Sequence, residues 1–207
     1  MSEILVITKI IAITQKKYKI FINEQFAFIL YKGELSRYLI KEGIIVEQET
    51  YQKIKAMLLK RAKSRALHLL NTRAYTEKQL TDKMKAHSYP EEIIRQALHY
   101  VTSFGYINDN AYIAQYLERH SATKSIKEMK LKLLQKGIAK ELLEEGIQNF
   151  RTQINEEESI RRILEKKRYI VGEAKEGEKR RIYAYLARKG FRHDDISRAL
   201  QVSVGNT

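Results

Sequence analysis

The chain has 207 residues and no cysteine, which excludes a disulfide framework, a thiolate nucleophile and cysteine-held zinc or iron–sulfur centres. Lysine and arginine number 39 against 25 acids, a net charge of +14 that attracts polyanions: nucleic acid, an anionic membrane face or an acidic protein groove. Apolar residues make up 43%, ordinary for a globular protein, so the chain can bury a core and need not be disordered. In chain order, MSEILVITKIIAIT lacks a basic leading segment, and Lys9 interrupts its apolar run. It predicts neither a signal peptide nor a membrane span, and the cytoplasm is the expected location. Ile4 to Ile13 reads as a strand. Tyr18, Ile20 and Ile22, then Phe26, Phe28 and Leu30, alternate about the polar Asn23-Glu24-Gln25, the period-two pattern of a β-hairpin. A lone hairpin is marginal, so this β-rich segment, 1–48, is expected to pack on the helices that follow. Gly33 and Gly43 bracket a short helical turn around Leu35 to Leu39.

From Thr50 the period becomes helical. Ile54, Leu58, Ala62, Ala66 and Leu69-Leu70 mark one face of a long first helix. Thr76 with Gln79 is a capping-box pair opening a second helix, and Pro90 suits the first turn of a third, which Gly105 closes. The same grammar recurs with Asp109 as an N-cap, Ser125 and Glu128 as a second capping box, and Gly137 as a stop. It recurs again where Gly190 stops one helix and Asp194 caps the next. Three 19-residue stretches, Leu80 to Leu98, Met129 to Ile147 and Ile182 to Leu200, align without gaps. Leu80, Met129 and Ile182 coincide, as do Met84, Leu133 and Leu186, then Tyr89, Ile138 and Phe191, then Ile94, Leu143 and Ile196. Ala97-Leu98, Gly146-Ile147 and Ala199-Leu200 close the pattern. Such repetition signals stacked supersecondary units, which cannot bury their apolar faces alone. The fold expected is mainly α: tandem three-helix repeats at 49–107, 108–152 and 153–207 in an elongated modular array, after the small N-terminal β segment. Gln153 to Glu158 and Val171 to Glu178 read as soft joints, and the residues after Leu200 as a frayed tail.

Catalytic groups are hard to find. The histidines His68, His87, His99, His120 and His193 form no metal-ligand spacing, and Glu91-Glu92 and Asp194-Asp195 lie where acids complement helix dipoles. No glycine-rich phosphate loop or nucleophile elbow is present. The expectation is a binder, not an enzyme, with no cofactor and no metal. The basic residues are better candidates. Lys60, Arg61, Lys63 and Arg65 crowd the first helix, with Arg73 just beyond. Lys127, Lys130 and Lys132 precede Lys136 in the second repeat. Lys166, Lys167 and Arg168, then Lys179, Arg180 and Arg181, flank the later joint, followed by Arg188, Lys189 and Arg192. Such density tracks a phosphate backbone or meets an acidic protein rim; the plainer alternative is a set of solvated helix faces. Residues 53–107 carry 11 basic and 4 acidic groups, half of the whole excess. Tyr75, Tyr100, Tyr106, Tyr112, Tyr116, Tyr183 and Tyr185 read first as packing residues at helix contacts and second as base-stacking platforms.

The run Ala66-Leu67-His68-Leu69-Leu70, then Arg73-Ala74-Tyr75-Thr76 and Leu80, resembles the opening of the RecX family. Phe104-Gly105-Tyr106-Ile107-Asn108-Asp109, followed by Tyr112 and Ala114, resembles that family's joint, and Leu133 to Ile138 (LLQKGI) resembles a later element. Ser125 stands where the family pattern leads one to expect glycine. The resemblance implies a regulator of the RecA recombinase that lodges in the groove of the RecA–single-stranded DNA filament and suppresses ATPase and strand exchange. It places the protein in homologous recombination, DNA repair and the SOS response. The partners expected are the RecA filament and single-stranded DNA, with double-stranded DNA as a further candidate, no membrane, and a monomeric chain. The competing reading is a direct DNA-binding helical-repeat protein with no recombinase partner.

Overall fold

The structure is a computed structural model that describes residues 4–200, so the expected frayed tail after Leu200 lies outside the described residues. The chain divides into two compact units, one ending at Ile107 and one beginning at Asn108. In the first, β1 (Leu5–Thr14), β2 (Lys17–Ile22), β3 (Gln25–Tyr31) and β4 (Ile45–Val46) form one sheet in the order β3-β2-β1-β4. Its β1–β2, β2–β3 and β1–β4 pairings are antiparallel. Asn23 and Glu24 take positive φ (50° and 64°), the tight turn whose twist suits a two-residue hairpin. The Asn23 side chain accepts from Val6 N–H (3.0 Å) and donates to the Ile4 carbonyl (2.9 Å), tying the turn to the neighbouring strand. Ile20, Ile22, Phe28 and Leu30 point into the core at period two, as the sequence predicts.

The short helix α1 (Lys32–Arg37) begins one residue after β3 and holds Gly33 within it. Then comes α2 (Gln48–Thr72), 25 residues or about 37 Å long, burying Ile54, Leu58, Ala62, Ala66 and Leu69. With α3 (Glu77–Ala86) and α4 (Glu91–Ser103) it makes the first three-helix domain. The hairpin does not stand alone: Ile7, Ile20, Phe28 and Leu30 share one core with α2, Leu80 and Met84 of α3, and Ile94 and Val101 of α4. Thr76 and Gln79 form the reciprocal capping box. Pro90 is the cap of α4, one position ahead of its first turn, and Glu91 and Glu92 occupy that turn.

The second unit holds two three-helix domains. The middle one is α5 (Asp109–His120), α6 (Ile126–Gln135) and α7 (Lys140–Phe150). The third is α8 (Glu156–Lys166), α9 (Glu176–Arg188) and α10 (His193–Leu200). Asn108, not Asp109, caps α5: its Oδ1 accepts from Ala111 N–H at 2.9 Å, and Asp109 falls in the first turn. Asp194 likewise lies inside the first turn of α10 and does not cap it. The joint at Gln153 to Glu158 is a 3-10 turn, Arg151–Gln153, followed at once by α8 with Asn155 as cap. Of the aligned repeat positions all are buried except Tyr89 and Gly146. The residue between the second and third helix of each domain is left-handed in all three: Ser88 (φ 58°), Gly137 (84°) and Gly190 (88°). In each the next residue donates back to the last helical turn, Tyr89 to Met84, Ile138 to Leu133 and Phe191 to Leu186, a Schellman closure repeated three times.

The middle and third domains keep separate apolar cores and meet through polar bonds. Buried Ser125 accepts from Glu128 N–H (3.1 Å) and donates to the Lys189 carbonyl (2.6 Å). The Glu128 carboxylate turns to Lys189 Nζ (3.4 Å), so the expected capping box is realised in one direction, with the acid recruited across the domain contact. Glu156 accepts from Ile126 N–H (2.9 Å), and Ser159 Oγ donates to the Ser121 carbonyl.

Candidate nucleic-acid interface

The basic residues of α2 do not act as one face. Lys60, Ser64 and His68 are spaced by four, as are Arg61 and Arg65, so these two adjoining rows look to the same side of the helix. That side is one wall of an open groove of about 760 Å³. Lys17 and Tyr31 of the sheet and Glu34 of α1 form a second wall, and His87 and Tyr89 of the α3–α4 turn a third. Lys63 turns instead toward α4, its Nζ 4.3 Å from the Tyr100 ring centroid. Arg73 lies past the end of α2, its guanidinium 4.3 Å from the Tyr75 ring. Its hydrogen bond to that hydroxyl holds the Tyr75 phenol below its ordinary pKa.

Within the groove the cations have different duties. Arg61 is structural: it pairs with Glu34, donates to the Ile29 carbonyl (3.3 Å) and lies 4.6 Å over the Tyr31 ring, so it fastens α2 to the sheet. Arg65 is held more loosely. One Nη lies 3.0 Å from His87 Nε2, while His87 Nδ1 is 2.8 Å from the Lys83 carbonyl. A carbonyl only accepts, so Nδ1 carries the proton and the lone pair of Nε2 accepts from Arg65. The Arg65 Nε is buried with no hydrogen-bond partner among the described residues. Lys60 is exposed. Lys17 lies 5.7 Å from the other cation's partner, Tyr31. Burial pushes the Tyr89 phenol up, against the opposing pull of Arg61 and Arg65. With Glu34 already engaged by Arg61, Lys17, Lys60 and Arg65 leave the groove with an excess of positive charge.

The other predicted cations scatter. Lys130 pairs with Glu144, Lys189 with Glu128, Arg180 with Glu176 and Arg192 with Asp194. Lys132 reaches Gln135 (3.3 Å), and Lys127 packs beside Gly190. Lys166, Arg168 and Arg181 are exposed, Lys179 is half-buried, and Lys167 and Arg188 line a cavity on the third domain. Lys17, Tyr31, His68, His87 and Tyr89 were outside the predicted set. The step of four from Lys60 to His68 was readable in sequence; the strand and turn contributions needed the fold. Of the tyrosines, Tyr75 is buried, and Tyr100, Tyr112, Tyr116 and Tyr185 each lie beneath a lysine ammonium. Packing therefore accounts for most of them, whereas Tyr106 is 57% exposed. Among the described residues no three histidine or acidic side chains gather as a metal site, and no helix is long and apolar enough to cross a membrane.

Residues 62–100 match the family described as the RecX first three-helix domain, and residues 155–200 match the RecX third three-helix domain. A protein named Regulatory protein RecX from Caldanaerobacter subterraneus subsp. tengcongensis is 31% identical over 189 residues, covering 90% of this chain and 93% of that one. One of the same name from Bacillus velezensis is 29% identical over 198 residues, covering 91% and 74%. A crystal structure of a regulatory protein RecX superposes with a TM-score of 0.63 at 22% identity, over 96% of this chain and all (100%) of the other, a likeness of fold. RecX from Lactobacillus salivarius gives 0.61 at 25% identity over 70% and 96%. With three triple-helix domains behind a small sheet, and a relative this similar across nearly its whole length, the chain belongs to the RecX family of regulatory proteins.

Proposed function

We propose that this protein is a negative regulator of the RecA recombinase, binding in the groove of the RecA–single-stranded DNA filament and lowering its ATPase and strand-exchange activity. It acts without chemistry of its own. The family supplies the regulatory role, and the observation that carries the mechanism is the basic groove of the first domain. Lys60 is exposed there and Arg65 lies half-buried beside His87, on a scaffold fixed by Arg61. Modules at 49–107, 108–152 and 153–207 add separate weak contacts along a repeating polymer, so that affinity accumulates as avidity.

The test is RecA-catalysed ATP hydrolysis on single-stranded DNA with the protein added. Inhibition is expected at well below one copy per RecA protomer. Lys60→Glu with Arg65→Glu should raise the concentration for half inhibition about tenfold, on the order of 1.4 kcal/mol. An absence of inhibition by the parent protein, alongside tight and strongly salt-dependent binding to free DNA, would instead establish a direct DNA binder.

A further inference from the structure

The turn between α8 and α9 folds Tyr169 into the core of the third domain, where it is 8% exposed. Its hydroxyl is buried and meets no hydrogen-bond partner among the described residues. An unpaired phenol O–H loses its hydration without recompense, and phenylalanine would fill the same space without that loss. Tyr169 also lines an open cavity of about 540 Å³ together with Lys167, Arg181, Tyr185 and Arg188. Lys167 has an internal reason for its place: it caps the C-terminal end of α8, where positive charge complements the helix dipole, and lies 4.2 Å over the Tyr185 ring. Arg181 and Arg188 have none. Neither side chain makes an ion pair or hydrogen bond among the described residues, although Arg180, Arg192 and Arg198 nearby all pair with acids. They stand seven residues apart, two turns along one side of α9, with Tyr185 between them.

We propose that Tyr169, Arg181 and Arg188, with Lys167, form a phosphate-binding pocket of the third domain, separate from the groove of the first. The two guanidinium forks come from α9, the ammonium from the C-cap of α8 and the phenol O–H from the turn that follows it. A tetrahedral phosphate accepts from several directions at once, whereas one guanidinium fork satisfies a planar carboxylate. Glu178 is the one acid on the wall, which leaves three cations to one carboxylate. The source of the phosphate, a nucleic-acid strand, rests on the filament-groove reading; the pocket itself does not.

The test measures fluorescence anisotropy of labelled oligo-dT with the full chain over a salt titration, with no recombinase present. Arg181→Gln with Arg188→Gln should weaken binding about tenfold and flatten the salt dependence by at least about one phosphate contact. Tyr169→Phe should weaken it about threefold, leave the salt dependence unchanged and melt no lower than the parent. Arg180→Gln, on the same helix but paired with Glu176, should bind as the parent does. Competition by ATP and inorganic phosphate separates the sources. Displacement only at concentrations that act through ionic strength indicates a strand, while displacement by ATP that the double variant abolishes keeps the pocket and assigns it to a nucleotide. The proposal is overturned if the double variant and Tyr169→Phe bind oligo-dT and ATP as Arg180→Gln does. It is equally overturned if they lose only poly-glutamate, or if Tyr169→Phe melts lower, which would mean the hydroxyl is satisfied inside the protein. Because no recombinase takes part, failure of the RecA assay leaves these outcomes untouched.

Discussion

The first and third three-helix domains carry similar numbers of cations, yet they put them to different uses. Residues 53–107 set 11 basic groups against 4 acids, and residues 153–207 set 13 against 9. The acids of the third domain fill the first turns of its helices, Glu157 and Glu158 in α8, Glu176 in α9 and Asp195 in α10. From there they capture Arg161, Arg162, Arg180 and Arg198. In the first domain the acids of α4 take Lys55 and Lys85, and the cations over the groove keep mainly aromatic and imidazole company. Net charge is therefore a poor guide to available charge. What counts is how many acids stand one helical turn away.

The two units also differ in how their cores are built. Among the described residues the first unit buries one cluster of 21 apolar side chains spanning sheet and helices, while the middle domain buries seven. The sharpest test is Leu133→Ala, which deletes a fully buried side chain from that small core at a cost of about 2–5 kcal/mol. Hydrogen exchange should quicken across α5 to α7 while β2, β3 and α2 keep their protection; uniform loss would erase the distinction between the units. Next in size is Gly146→Ala. A Cβ there would lie 2.7 Å from Ile113 Cγ2, a stiff branched side chain, so about 1–3 kcal/mol should be lost in urea unfolding. The aligned positions in the other domains are Ala97 and Ala199, which already carry a Cβ.

Smaller again is Ser88→Gly, which puts in the first domain the residue its counterparts already have at a left-handed position. Relief of that strain, less the extra freedom of an unfolded glycine, should stabilise by about 0.5–1 kcal/mol. No gain would mean the Ser88 turn is held by more than its backbone. The smallest effect concerns the polar contact between middle and third domains. Burial, foremost, pushes the Glu156 carboxyl above its ordinary value. A carboxyl so raised favours the fold when protonated, and that contribution is lost as pH climbs from the ordinary glutamate value through the raised one. Glu156→Gln keeps an acceptor for Ile126 N–H and removes the loss. Its melting temperature relative to the parent should therefore rise slightly from pH 4 to pH 7, and a flat difference would mean that the carboxylate is not desolvated there.

Local rules made much of this molecule readable. Six aligned apolar positions foretold three cores, because a helix of fixed period must bury whatever recurs on one side. Thr76 with Gln79, and the stops at Gly105, Gly137 and Gly190, marked helix ends through bonds spanning only a few residues. The period-two run gave the hairpin, and the order of motifs from Ala66 to Ile138 pointed to the family. Partner choice was a different matter. That Arg61 spends its charge on Glu34, that Lys17 and Tyr31 complete a groove begun on α2, and that the Glu128 carboxylate leaves its own helix for Lys189 depend on residues 27 to 61 positions apart. Periodicity constrains which side of an element is buried; only the packed chain decides which charges meet, because Coulomb attraction acts through space and not along the sequence.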